Sequence, residues 1–462
     1  MTEKRPSLGG IASGDRDKLM DSVRAGRRAG RDRRPAAPAA GAEAPAKRRA
    51  FDFTELPQVR QLQMQRAAAE MMGIGNPFFR PHDGLAAGTT TIDGKVYDNF
   101  ASYNYVGLNG HPEVIAAAQA AVDTYGVSVS ASRVVAGERP IHRQLEEALA
   151  RIHGTEAAVV MVSGHATNVT TIGHLMNKGD LILTDQLVHN SIAEGARLSG
   201  ATRINFPHDD LDALERLLAE NRHKYEHVLI VVEGLYSMDG DFPDLRRVVK
   251  LKQAYDAWLL VDEAHSIGVL GETGRGIAEH YGVDPNEVEM WMGTLSKTFS
   301  SCGGYIAASR VLCDYLKATA PGFVFSVGLS PALTAAATKS AELLEREPER
   351  VARLQANGQH FLKAAKAAGL DTGPSAGYSV VPVIVGDSIG AVTLANRLLE
   401  RGVNALPIIF PAVAEKAARL RFFITSEHTF EQIDRVVAIT AEELDGVRAG
   451  GSAVERLLKA TR

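Results

Sequence analysis

A chain of 462 residues, 45% hydrophobic and 23% charged, is long enough for two or three packed units and has ordinary soluble composition. A net charge of −4 argues against nucleic acid as the main partner, and no run reaches the roughly 18 consecutive apolar residues of a membrane span. Two cysteines, Cys302 and Cys313, give neither a disulfide framework nor a metal-ligand spacing, so the expected setting is reducing and cytoplasmic, with Cys302 a small packed thiol.

Residues 1–50 hold thirteen Lys/Arg against six Asp/Glu and almost no aromatic or β-branched residues, which predicts a disordered basic tail. Glu3, Asp15, Asp17, Asp21 and Asp32 interrupt it, unlike an Arg-rich targeting peptide. A docking arm for an acidic carrier protein or an anionic surface is the alternative to a solvated tail. An N-terminal arm follows over 51–100: a helical pattern in PQVRQLQMQRAAAEMM, the breaker GIGNPFFRPHDG, and TTTIDGKVYDNF, whose central Asp-Gly predicts a hairpin.

Over 101–330, strand-like AAVVMV, LILTD, HVLIVVEG and AWLLVDEAH alternate with helix-like stretches such as LDALERLLAENR and DLRRVVKLKQAYD. That repetition predicts an α/β domain with a mostly parallel sheet and helices on both faces. Over 331–462 long helical stretches, then YSVVPVIVGD, AVTLANRLLERG and RLRFFIT, predict a smaller α+β domain. No internal repeat is present.

Ligands of parallel sheets bind beyond the carboxyl ends of the strands, so the polar residues ending each apolar run matter most. AWLLVDEAHSIG ends on Asp262, Glu263 and His265; a carboxylate there needs a cation or donors opposite. Asp-Glu-Ala-His also occurs in nucleotide hydrolases, but the phosphate loop that reading needs is missing, and taken alone Asp262 could simply cap a helix. MWMGTLSKTF brings Thr294, Ser296 and Lys297 out of another strand, where partial desolvation makes a lysine a usable amine nucleophile. The Gly-Gly pair after it is expected to weaken any strand or helix. VVMVSGHATN reads as strand, turn and helix, so amides near Ser163, Gly164 and His165 would cradle an anion. His189 and Ser191 follow LILTD, although a single histidine is more often a packing residue. One ligand accounts for all of these sites: pyridoxal 5′-phosphate, which needs a lysine for its aldehyde, an acid for its ring nitrogen, a flat residue for its face and amides for its phosphate.

With YNYVGLNGHPEV, SASRVVAGERPIHRQLEEALA, DQLVHNSI, EGLYSMDGD, VDEAHSIGVLGETGRG, GTLSKTFSSCGGY and ARLRFFITSEHT, the chain from about residue 55 to 445 resembles the α-oxoamine synthases, which are fold-type I pyridoxal-phosphate enzymes. The resemblance implies that Lys297 holds the cofactor covalently and later moves the substrate Cα proton, that Asp262 pairs with the ring nitrogen, that His265 bonds the ring's phenolic oxygen, and that His189 stacks on its face. Ser163, Gly164, His165, Thr294 and Ser296 would hold the phosphate, and Ser326 would reach the phosphate of a neighbouring subunit in a homodimer with shared active sites. Arg421 would bind the amino acid's carboxylate, and Asn104 and Tyr105 would line the substrate entrance. The implied activity is decarboxylative condensation of serine, alanine or glycine with an acyl-CoA or acyl-carrier protein, giving an α-aminoketone, CO2 and free thiol. Transamination and a non-catalytic partner subunit are the alternatives. His165 stands where the family often has an aromatic residue, and VSVSASR where it has a glycine-rich run, which leaves substrate preference open; the GNPFFRPHDG, SVSASR and SGHATN variants look most like members that work beside carrier-protein assembly lines.

Overall fold

The computed structural model describes residues 52–71 and 73–449, so the basic tail expected over 1–50 lies outside the described residues. The chain divides into two compact units, Met1–Gln65 and Arg66–Arg462. In the first, Asp52 accepts from Thr54 N at 2.9 Å and caps the short turn Phe53–Glu55. The helix Pro57–Met71 begins there with proline at its first position, where a missing N–H is tolerated.

In the second unit the Asp-Gly hairpin is β1 (Thr89–Ile92) against β2 (Lys95–Asn99). Asp93 (φ 49°) and Gly94 (φ 75°) take the left-handed conformation that a tight two-residue connection demands.

A seven-stranded sheet follows, formed by β3 (Ala157–Met161), β4 (Leu181–Asp185), β5 (Thr202–Phe206), β6 (Val228–Glu233), β7 (Trp258–Asp262), β8 (Met290–Thr294) and β9 (Gly304–Ala308), in the order β3-β9-β8-β7-β6-β4-β5. Strands β4 to β8 are mutually parallel; β9 is antiparallel to both of its neighbours. Every residue of β4, β6, β8 and β9 is buried. Leu229, Val231, Leu260 and Met292 pack with Ile172, Ile192 and Leu316 of the helices Gly164–Leu175, Asn190–Ser199 and Arg310–Thr319. Their sequence neighbours Ile230, Val232, Val261 and Trp291 pack with Leu149, Leu214 and Val248 of Pro140–His153, Leu211–Asn221 and Leu245–Ala254. Burial on both faces is why these strands read as unbroken apolar runs.

Two strands depart from the sequence reading. β5 carries exposed Thr202 and Asn205 and so has no apolar run to reveal it. The Gly-Gly pair, expected to weaken any element, instead opens the fully buried β9. A Cβ on Gly304 would lie 2.5 Å from Gly164 Cα, so glycine is what lets this strand end meet the N-terminus of the helix Gly164–Leu175.

Towards the C-terminus, β10 (Val380–Ile384), β12 (Leu406–Ile408) and β13 (Arg419–Phe423) form an antiparallel sheet, while the two-residue β11 (Val403–Asn404) adds in parallel to β2. Asp98 on β2 is also ion-paired with Arg435. The segment expected as a separate arm is thus tied to the C-terminal half. Phe361, Phe422 and Val437 share one core with Val160 and Trp291, so apolar packing continues across the boundary expected at 330/331. Among the described residues no helix is long and apolar enough to cross a membrane.

Candidate active site

Parallel pairing sets the carboxyl ends of adjacent strands side by side: Glu233 of β6 is opposite Asp262 of β7, and Asp262 is opposite Met292 of β8. Neighbouring strands lie about 4.8 Å apart, so Glu233, Asp262 and Thr294 share one rim, with Lys297 three residues beyond β8. A cavity of about 230 Å³ opens there, lined by Ser163, Gly164, His165, Asn168, His189, Ser191, Glu233, Asp262, His265, Thr294, Ser296 and Lys297.

Asp262 is buried and does not cap a helix. Its Oδ1 accepts from Ala264 N at 3.0 Å and its Oδ2 from Asn168 Nδ2 at 2.8 Å. Asn168 Nδ2 also donates to Ser191 Oγ at 3.0 Å, and Ser191 Oγ lies 2.7 Å from His189 Nδ1. The acid and the imidazole therefore share one hydrogen-bonded frame. His189 caps the helix Asn190–Ser199, its own amide donating to Glu233 Oε1 at 2.5 Å. Burial, with the Lys297 and Arg421 charges, lowers the His189 pKa against the pull of Asp262. The ring is neutral, a flat face rather than a cation. Burial and the Asp262 charge hold the Glu233 carboxyl well above the usual carboxylate range.

His265 is buried, and its Nδ1 lies 2.7 Å from Tyr105 Oη. Burial and the charges of Lys297 and Arg421 push its pKa far down. Where Tyr105 O–H donates to Nδ1, the neutral imidazole carries its proton on Nε2 and can donate from there.

Lys297 is half-buried. Burial lowers its amine to about 8, although Asp262 and Glu233 pull it upward. An amine at about 8 is mostly protonated at pH 6 and mostly free at pH 9, whereas an exposed lysine is free only above about 10. Covalent capture of pyridoxal phosphate by cofactor-free protein is therefore expected to accelerate about tenfold per pH unit up to about pH 8 and then level off. Borohydride trapping followed by mass mapping of residue 297 reads this out; a rate still climbing past pH 9 contradicts the shift.

The turn after β3 supplies the anion cradle. Ser163 caps the helix Gly164–Leu175 and accepts from Ala166 N at 3.4 Å, leaving the first amides outward. Thr294 Oγ1 and Ser296 Oγ are 2.9 Å apart, and a Cβ on Gly164 would lie 2.8 Å from Thr294 Oγ1. A second cavity, about 520 Å³ and lined by Leu85, Tyr103, Asn104 and Leu406 among others, shares Ser296 and Lys297 with the first. Asn104 is fixed there by bonds to Ala86 O (3.0 Å) and Glu427 Oε2 (3.2 Å).

Tyr105 does not line the substrate entrance as expected. It is fully buried behind His265, and Tyr103 takes the exposed place, its ring 5.9 Å from Lys297 Nζ and 4.7 Å from the Phe423 ring. Cys302 is not a packed thiol either: it is exposed and lines the first cavity. Ser326 stands apart, beside a small space near Arg133 and Phe323. Arg421, on the same face of β13 as Phe423, stacks 4.5 Å from that ring and donates from Nη1 to Ser237 O at 3.0 Å. Asn168, Glu233 and Tyr103 were not singled out from the sequence, although Glu233 ends an apolar run just as Asp262 does.

These residues fit pyridoxal phosphate on the structure's own terms. Asn168 Oδ1 and Arg421 Nε are buried polar atoms without a partner. A side chain on Gly164 would intrude on the cradle, and an amine, a carboxylate, a neutral imidazole and helix-end amides converge on one cavity.

A family model described as aminotransferase class I and II matches residues 97–439. The 8-amino-7-oxononanoate synthase of Bacillus pumilus is 39% identical over 361 residues, covering 78% of this chain and 91% of the relative. That of Symbiobacterium thermophilum is 41% identical over 351 residues, covering 76% and 89%. The solved structure of Sphingomonas wittichii serine palmitoyltransferase matches with a TM-score of 0.82 and 30% identity, covering 86% of this chain and all of the other. The 8-amino-7-oxononanoate synthase from Francisella tularensis matches with a TM-score of 0.66 and 25% identity, covering 75% and 98%.

Proposed function

The chain belongs to the aminotransferase class I and II family and, within it, to the α-oxoamine synthases, and from that premise we propose that it joins a small amino acid (serine, alanine or glycine) to an acyl group carried on coenzyme A or a carrier protein. It is a pyridoxal-phosphate-dependent C-acyltransferase whose condensation releases CO2 and free thiol. Pyridoxal phosphate, when bound, supplies an aldehyde for covalent attachment and an electron-poor ring that delocalises charge from the amino acid's Cα.

Each residue then has a task. Lys297 Nζ would hold the cofactor and take the substrate's Cα proton; an amine lowered to about 8 suits both roles. Asp262, aimed by Asn168 and the Ala264 amide, would keep a proton on the ring nitrogen. His189 would cover the ring face, His265 would donate to the phenolic oxygen, and the cradle of Gly164, His165, Thr294 and Ser296 would take the phosphate. Arg421 meets the carboxylate. The larger cavity, with Tyr103 and Asn104, receives the acyl thioester on the far side of Lys297. The observation that carries this function is the convergence of Lys297, Asp262, His189 and His265 on one cavity at the carboxyl rim of the sheet.

A homodimer is part of the same proposal. Val127, Val135, Phe325 and Val327 are exposed apolar residues on adjacent segments, which Gly328 N joins to Ala131 O at 3.1 Å and Ser330 Oγ to Val127 O at 2.9 Å. Ser326 lies among them, which supports a role for it at a partner's phosphate. A second copy covering this face would remove these exposed apolar side chains from water.

The test is a matrix of serine, alanine and glycine against acyl-CoA and acyl-carrier-protein thioesters of several lengths, reading thiol and CO2 together. One combination is expected to release both in equal amounts. Stoichiometric keto acid without thiol would point to transamination, and neither product from any pair to a non-catalytic subunit.

A further inference from the structure

We infer that His208 is a positioning residue for amino-acid binding: its imidazole pins the end of β4, which leads into His189, to the turn after β6 whose carbonyl holds Arg421. This rests on Arg421 being the carboxylate anchor. His208 follows β5 and does not line either cavity of the active site. Its Nδ1 is 3.0 Å from both carboxylate oxygens of Asp185, its Nε2 is 2.9 Å from Asp241 Oδ2, and the Tyr236 ring packs edge-on at 4.6 Å.

On one side, Asp185 ends β4 and accepts from Leu187 N at 2.7 Å and Asp209 N at 2.9 Å, fixing the approach to His189. On the other, the turn 236–241 is gripped from β13, where Arg421 Nη1 donates to Ser237 O, and Arg419 Nη1 to Met238 O at 3.1 Å with an ion pair to Asp239. The turn also lies against β10: Gly240 has φ +73°, and a Cβ there would stand 2.1 Å from Val380 O. His208 thus joins the ring-facing arm of the site to its carboxylate-binding arm. Burial alone lowers its pKa, yet Asp185 and Asp241 lift it to about 10, so it is a cation between two acids at neutral pH. Without it, the buried Asp185 and the half-buried Asp241 carboxylates face each other and the turn shifts. Arg421 shifts with it.

The experiment compares H208Q, D241N and R421A holoenzymes by amino-acid KM, thioester KM, kcat and melting temperature. For H208Q the amino-acid KM is expected to rise about 10-fold, with kcat and thioester KM within about threefold. D241N keeps the His208–Asp185 bond and should show the same selectivity at about threefold; it decides the matter if H208Q does not fold. R421A should raise the amino-acid KM about 100-fold. An amino-acid KM within twofold of the parent in H208Q and D241N, or equal losses in every parameter, overturns the assignment while R421A still shows its effect. An unchanged KM in R421A overturns the carboxylate-anchor role itself, and this inference with it.

Discussion

Lys297→Ala is expected to abolish turnover, by at least about 1000-fold, and to leave no residue that borohydride links to pyridoxal phosphate. The expectation follows from position rather than from lysine chemistry in general. Lys297 is the lysine common to both cavities, and its amine is lowered to about 8 by burial. The variant removes covalent attachment and the proton carrier at once, so neither the cofactor cradle nor Arg421 can compensate. Because the side chain is only half-buried and the surrounding strands carry the core, the protein should fold; a near-normal melting temperature with no product separates lost chemistry from lost structure. Turnover within tenfold of the parent would remove the central assignment.

Asp262→Asn ranks next, with an expected loss of about 1000-fold in kcat while the cofactor stays attached through Lys297. Asparagine keeps the shape and can still accept from the Ala264 amide, but it brings no negative charge to hold a proton on the ring nitrogen. Glu233 complicates the reading in a useful way. Burial and the charge of its neighbour in register, Asp262, raise its pKa well above the usual carboxylate range. Removing that charge lets Glu233 ionise more readily, so the residual rate of Asp262→Asn should rise with pH, and the double variant Asp262→Asn with Glu233→Gln should lose the rise. A kcat within threefold of the parent in Asp262→Asn would show that the ring nitrogen needs no anion here.

The parallel sheet was legible because its strands are buried on both faces and so appear as unbroken apolar runs; β5, a polar edge strand, gave no such signal. The strand-end rule pointed to Lys297, Asp262, His189 and the Ser163 turn, which the structure brings to one cavity because adjacent parallel strands end side by side. It did not separate Tyr103 from Tyr105. Both lie in one motif, and only packing decides that one faces the cavity and the other props His265. Cys302 was misjudged for the same reason: exposure depends on how Gly303 and Gly304 turn the chain into β9, not on composition. His208 was invisible because its partners, Asp185 and Asp241, are 23 and 33 positions away in sequence.

Glu233, Asp262 and Met292 stand opposite one another in a continuous ladder of main-chain hydrogen bonds. The gap between the acid of β7 and the strand that leads to the amine is therefore graduated by the backbone, in steps of one strand, and side-chain exchanges elsewhere have little purchase on it. Such a ruler separates two kinds of change: the loops around the larger chamber are free to drift towards new acyl donors, while the electron-sink geometry underneath keeps its calibration.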